Sequence, residues 1–188
     1  MCGERQMKVL QINSVCGLGS TGRIATDIDA TLREKKIESY IAYGRETSIN
    51  NDHTLRIGSK LDYYVHGGLT RLFDTHALLG SSMASKRFIE QVKKIDPDVI
   101  HLHNIHGYYL NIKILFDYLK TSGKPVVWTL HDCWSFTGHC AYFSYAQCDK
   151  WIEGCYRCPK RNSYPASAFI DNSKRNYLIK KELFTSLE

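Results

Sequence analysis

His131-Asp132 closes the apolar run Val126-Val127-Trp128-Thr129-Leu130. An imidazole with a pKa near neutrality can pass a proton to or from a hydroxyl or phosphate, and an adjacent carboxylate can orient it. A second run, His101-Leu102-His103-Asn104-Ile105-His106-Gly107-Tyr108-Tyr109, is polar and aromatic. That composition suits sugar or nucleotide contacts, and equally a solvated loop. His101 and His103 are read as facing opposite sides of one strand, one of them a core histidine bonded to backbone. The third feature is Gly17-Leu18-Gly19-Ser20-Thr21-Gly22, a G-x-G-x-x-G between a strand signal and a helix signal. Bare amides and a helix N-terminus there could take a phosphate. Dinucleotide binding is the first expectation, but Asn13 to Cys16 delay the turn and no acidic residue closes the second strand. Arg45 keeps an NADP reading open. The plain alternative is a glycine-rich turn with Ser20 or Thr21 as a helix cap. Tyr109-x-x-x-Lys113 has the spacing of a dehydrogenase proton donor, but it starts in a loop and the pattern is common by chance.

The cysteines form a separate pattern. Cys140, Cys148, Cys155 and Cys158 space as C-x7-C-x6-C-x2-C, with Cys133 and His139 nearby. Four thiolates can close a tetrahedral zinc site, and Cys155-x-x-Cys158 is a suitable metal-ligand knuckle. The competing reading has the thiols free and buried in a small satellite core with Tyr142, Phe143, Tyr145, Trp151 and Tyr156. The spacing matches no standard zinc finger. An iron–sulfur cluster or a redox pair ranks below both.

These residues need elements to hold them, and the chain alternates strand and helix signals. Strands are expected at Lys8–Val15, Ser39–Gly44, Asp98–His103 and Val126–His131. A helix with Ile24, Ile28 and Leu32 inside follows the glycine loop. Another, capped by Ser85, buries Phe88, Ile89, Val92 and Ile95. A third opens at Asn111, buries Ile112, Leu115, Phe116 and Leu119, and ends before Gly123. Residues 51–82 are ambiguous: Leu69, Leu72 and Phe73 have helical spacing, interrupted by His66-Gly67-Gly68. A last helix is expected over Asn172–Leu187. The alternation implies βαβ units, hence an α/β fold with a Rossmann-like, mostly parallel sheet and helices on both faces. Ligands of such sheets bind beyond the strands' carboxyl ends, which here are Asn13–Gly22, Tyr43–Glu46, His103–Tyr109 and His131 onward.

The chain has 188 residues, 43% hydrophobic and 23% charged, with seven cysteines. That is a globular composition, and it excludes disorder and fibre. The net charge of +6 is spread along the chain, so a solvated surface is expected and a nucleic-acid partner is not. No apolar run approaches the roughly 18 residues of a spanning helix. A cytoplasmic chain with reduced thiols is expected. Residues 1–6 read as a leader before a start at Met7.

Taken in order, several of these segments resemble one family. They are Gly19-Ser20-Thr21-Gly22-Arg23, Asp96-Pro97-Asp98-Val99-Ile100-His101-Leu102-His103-Asn104 and Pro125 to Asp132. Trp134-Ser135-Phe136-Thr137-Gly138-His139-Cys140 and Gly154-Cys155-x-x-Cys158-Pro159 complete the set. From Met7 to Phe184 the chain resembles the N-terminal domain of family 4 retaining glycosyltransferases, which have the two-domain GT-B fold. The last two segments look like a bacterial subgroup that builds surface or capsular polysaccharide. The resemblance implies one Rossmann-like domain over residues 7–186, with a Cys-rich insert at 133–160 and the donor-binding domain absent. His131 would contact the donor sugar near the reacting centre, as the catalytic residue. Gly19, Gly22 and Arg23 would face the donor diphosphate. His103, Asn104 and His106, with Asp132, would line the acceptor side. Catalysis would need no metal, so zinc would be structural. The partners implied are a nucleotide-sugar donor, bound mainly by the missing domain, and a glycan or lipid-linked acceptor. A lipid-linked acceptor would bring peripheral contact with the inner membrane face. Alone, the chain would transfer sugar poorly, because positioning needs both walls of the cleft. The competing classes are an NADP-binding oxidoreductase and a zinc-stabilised binding module.

Overall fold

A computed structural model describes residues 5–187; residues 1–4, most of the expected leader, and Glu188 lie outside it. Five parallel strands form one sheet in the order β3-β2-β1-β4-β5. They are β1 (Lys8–Asn13), β2 (Glu38–Tyr43), β3 (Thr54–Arg56), β4 (Val99–Leu102) and β5 (Val126–Trp128). The helices are α1 (Gly19–Glu34), α2 (Lys60–Phe73), α3 (Ser82–Ile95), α4 (Ile112–Ser122) and α5 (Ser173–Phe184), with short 3-10 turns at His76–Leu78 and Ser144–Ala146. The expected α/β, Rossmann-like architecture is present, consistent with one half of a GT-B fold.

Strand alternation divides the sheet chemically. Leu10, Ile12, Ala42, Ile100 and Leu102 enter the main core with Phe88, Val92, Leu115 and Phe116 of α3 and α4. Ile41 and Tyr43 pack with Cys16 in a smaller cluster on the other side. Gln11, registered against His101, belongs to that second face. Its Nε2 donates to the Ala25 carbonyl of α1 at 2.9 Å.

Several local expectations are corrected. Ser20 and Thr21 do not cap α1: Leu18 is the N-cap, without a side-chain hydrogen bond. The buried residues of α1 are Gly22 and Ala25 rather than the Ile24, Ile28, Leu32 stripe. Ser85 lies inside α3, where its Oγ accepts the Asn111 amide at 2.8 Å. The ambiguous 51–82 region contains β3, and α2 runs through His66-Gly67-Gly68. Its start is fixed by a Ser59–Asp62 capping box. Arg5, at the edge of the expected leader, pairs with Asp96 and Asp98 at 2.9 and 3.2 Å. No helix among the described residues is long and apolar enough to cross a membrane.

Candidate active site

The strand order reverses between β1 and β4, which opens a crevice beyond their carboxyl ends. The side chains of greatest chemical interest converge there. His101 and His103 lie on the same side of β4, with ring centroids 4.1 Å apart; residues two apart on a strand share a face, so the opposite-face expectation fails. His101 Nε2 meets Thr129 Oγ1 at 2.8 Å.

His103 sits between Gln11 and His131. Because Gln11 Nε2 is committed to Ala25, its Oε1 accepts the His103 Nε2–H at 3.1 Å. A neutral His103 then has a bare Nδ1, which accepts the Nε2–H of His131 at 3.0 Å. The relay leaves the lone pair of His131 Nδ1 as its open end. Burial pushes His103 down to about 3, with the His101 and His131 charges adding to the effect. Burial also holds His131 below its ordinary value despite neighbouring Asp132. A neutral, oriented imidazole at this position can accept a hydrogen bond or a proton from a hydroxyl.

Asp132 belongs to a second pair. Its Oδ2 accepts His106 Nε2–H at 2.8 Å and its Oδ1 accepts the Trp134 amide at 2.9 Å. Burial raises the Asp132 pKa, but the His106 hydrogen bond and charge, the amide and Lys180 outweigh it and keep the carboxyl low. Asp132 therefore orients His106, not His131. The Asn104 amide donates to Asn13 Oδ1 at 3.3 Å. His103, Asn104, His106, His131 and Asp132 line one small cavity with Trp128 and Trp134.

Gly19, Gly22 and Arg23 open α1 near this crevice, and they differ in accessibility. A Cβ at Gly17 would collide with Ser48 Oγ, and one at Gly22 would press on the Gly17 amide at 3.1 Å, whereas Gly19 has nothing within 4 Å. The first and last glycines thus serve chain packing, and the exposed Gly19 to Arg23 edge is the part open to an anion. Tyr109 is no proton donor: it is buried, and its OH donates to the Asn104 carbonyl at 2.8 Å.

The largest cavity, about 280 Å³, lies beyond β2 and β3 and is lined by Gly44, Arg45, Glu46, Arg56, Lys60, Tyr63 and Tyr64. Sequence reasoning missed Arg56, Lys60 and Tyr63. They follow a three-residue strand with little signal, but their basic and aromatic character beside a strand end was available.

Two clusters have metal-ligand character. Asp74, His76 and His139 bring ligand atoms within 4.8 Å of one another. Trp134 Nε1–H donates to His76 Nδ1 at 2.9 Å, so neutral His76 carries its proton on Nε2 and gives it to Asp74 Oδ1 at 2.9 Å. His139 Nδ1 reaches the same oxygen at 2.9 Å. The set is a closed hydrogen-bond network, not a vacant ligand set. Cys140, Cys148, Cys155 and Cys158 line a different cavity. Of the aromatic residues expected around them, Phe143 and Trp151 pack with Phe136, with ring centroids 4.8 to 6.1 Å apart. Tyr142, Tyr145 and Tyr156 are exposed.

No protein-family model matches the chain. It is 29% identical over 193 residues to WcaC of Escherichia coli (strain K12), provisionally named a colanic acid biosynthesis glycosyl transferase. The alignment covers 96% of this chain and 46% of that protein. The chain thus spans about half the length of the curated relative it matches.

Proposed function

We propose that the chain is the acceptor-side half of a retaining GT-B glycosyltransferase of family 4, acting in bacterial polysaccharide synthesis. It would move a hexose-type sugar from a nucleotide-sugar donor to a glycan or lipid-linked acceptor. The observation that carries this reading is the Gln11–His103–His131 relay, which holds a neutral imidazole over the crevice where the strand order reverses. Similarity to a glycosyl transferase of colanic acid biosynthesis gives the reading its class.

In this mechanism His131 Nδ1 accepts a hydrogen bond from a hydroxyl of the transferred sugar and fixes the reacting carbon. The exposed N-terminus of α1, with Arg23, faces the donor diphosphate and favours its negative charge. The leaving diphosphate takes the proton of the attacking hydroxyl, so retention needs no protein nucleophile. His106, held by Asp132, and Asn104 shape the acceptor side. The second wall of the cleft, with most of the nucleotide contacts, would come from a further domain. The NADP reading is disfavoured because Gly17 and Gly22 are packed against this chain's own atoms.

The test supplies the longer polypeptide that contains this segment with labelled nucleotide sugars and a lipid extract of the source membrane. Transfer of label, lost on His131→Ala, is the expected result. Saturable NADPH binding with no transfer would replace the reading by the oxidoreductase one.

A further inference from the structure

We propose that Cys140, Cys148, Cys155 and Cys158 form a structural zinc site whose whole ligand set is four thiolates. All four line one cavity of about 10 Å³, together with Thr137, Trp151 and Pro159. That volume takes a single ion or one water and excludes an organic ligand. Cys140 and Cys158 come from opposite ends of the segment, yet their thiols hydrogen-bond to each other. Backbone amides are aimed at the sulfurs: Gly138 N–H at Cys155, Lys160 N–H at Cys158, and the Cys140 amide at its own sulfur. Amide donors favour thiolate over thiol, and such donors orient and charge-stabilise metal-bound sulfur.

The surroundings supply the remaining charge balance. Four thiolates around a divalent ion leave two negative charges. The ammonium of Lys180 is buried, stands 4.1 Å over the Trp134 ring, and feels Cys155 and Cys140 as its nearest thiol charges. A buried cation with only one hydrogen bond, to the Trp134 carbonyl, calls for an anionic neighbour. The thiols do not form as tight a set as Asp74, His76 and His139, so metal binding would draw Cys148 and Cys155 toward the Cys140–Cys158 pair.

The segment has a reason to need a metal. Between Trp128 and Ser173 the only regular element is the three-residue turn Ser144–Ala146. Its apolar support is the Phe136–Phe143–Trp151 cluster on one side of the cavity. A long irregular segment with so small a core is the kind that metal ligation orders. Four soft ligands and no open position select zinc in a structural, non-catalytic role. Cys16 lies in the separate cluster beside β2, and Cys133 does not line the cavity.

The test is elemental analysis of the 188-residue chain purified in reductant without added metal. One zinc per chain is expected, released when an organomercurial titrates the thiols. Replacement by cobalt should give the visible absorption of a tetrahedral tetrathiolate. Cys155→Ser should lose most of the zinc, and Cys133→Ser should keep it. If Cys155→Ser does not fold, the zinc stoichiometry and cobalt spectrum of the parent chain still decide. Metal-free protein with freely titrating thiols overturns the proposal. So does a Cys140–Cys158 disulfide seen as the loss of two hydrogens in the intact mass, or iron in place of zinc.

Discussion

Among the site residues, His103 makes the sharpest demand on solvent conditions. Its folded pKa is held near 3, against an ordinary 6.5. Below pH 6.5 the unfolded chain takes up a proton that the folded chain refuses, so stability is complete above 6.5 and drains away as pH falls toward 3. At pH 5 this one group removes about 2 kcal/mol. His76, pushed down to about 3 by burial, adds a loss of the same sign. Urea unfolding at pH 7 and pH 5 should show the parent chain weakened, and His103→Gln should roughly halve the difference. His131 is more exposed and carries a different expectation. His131→Ala in the longer polypeptide should cut transfer by about 10²-fold. Its stability cost should be near 1 kcal/mol, because His103 Nδ1 loses its donor. A loss of activity matched by a loss of folded protein would remove His131 from the mechanism.

At the scale of elements, the helices differ in how openly the sequence declares them. α4 is legible throughout: Asn111 accepts the Ile114 amide as its cap, Ile112, Leu115, Phe116 and Leu119 are buried, and Gly123 closes it at φ 64. Period, cap and stop signal all agree there. α1 misleads because it approaches β1 closely enough for Gln11 to reach the Ala25 carbonyl. Close approach selects Gly22 and Ala25 at the contact and leaves Ile24 40% exposed, which no count of apolar residues would show. β3 has three residues, too few for a periodicity. Within the site, the histidines and Asp132 could be named from sequence. The pairing of Asp132 with His106 could not, because it depends on how the loop after β5 turns. The loop after β4 is fixed by Tyr109, which packs where Gly44 leaves room. A Cβ at residue 44 would overlap the Tyr109 ring. Gly44→Ala should therefore cost about 1–3 kcal/mol and shift the Asn104–His106 resonances in an NMR spectrum. An unchanged unfolding midpoint would show that Tyr109 relocates freely.

For the molecule as a whole, the question is what holds its last helix. The buried residues of α5 are Ser173, Asn176, Lys180 and Leu183, so its inner face is mostly polar. The anchors are hydrogen bonds centred on Asp74, the residue that ends α2. Asp74 Oδ2 accepts the Asn172 amide at 2.7 Å, and its carbonyl accepts Asn176 Nδ2 at 2.7 Å. Its Oδ1 takes the protons of His76 and His139, which ties the same carboxylate to the Cys-rich segment. Burial raises the Asp74 pKa, but the histidine hydrogen bonds and charges prevail and hold it at about 2. One charged group thus joins α2, α5 and the segment that carries Trp134 and the four cysteines. Apolar support for α5 is limited to its end, where Phe184 meets Phe116 and Trp128 at 4.7 and 4.8 Å. Removing the carboxylate orphans three buried donors together, and Asp74→Ala should cost about 3–5 kcal/mol. Asp74→Asn keeps an oxygen acceptor and should cost less. Because the sheet core does not depend on Asp74, the loss should be local first. Hydrogen exchange in Asp74→Ala should speed up in α5 and residues 134–172 while β1 and β4 stay protected. Uniform acceleration across the sheet would mean that this carboxylate supports the whole fold rather than the join between its parts.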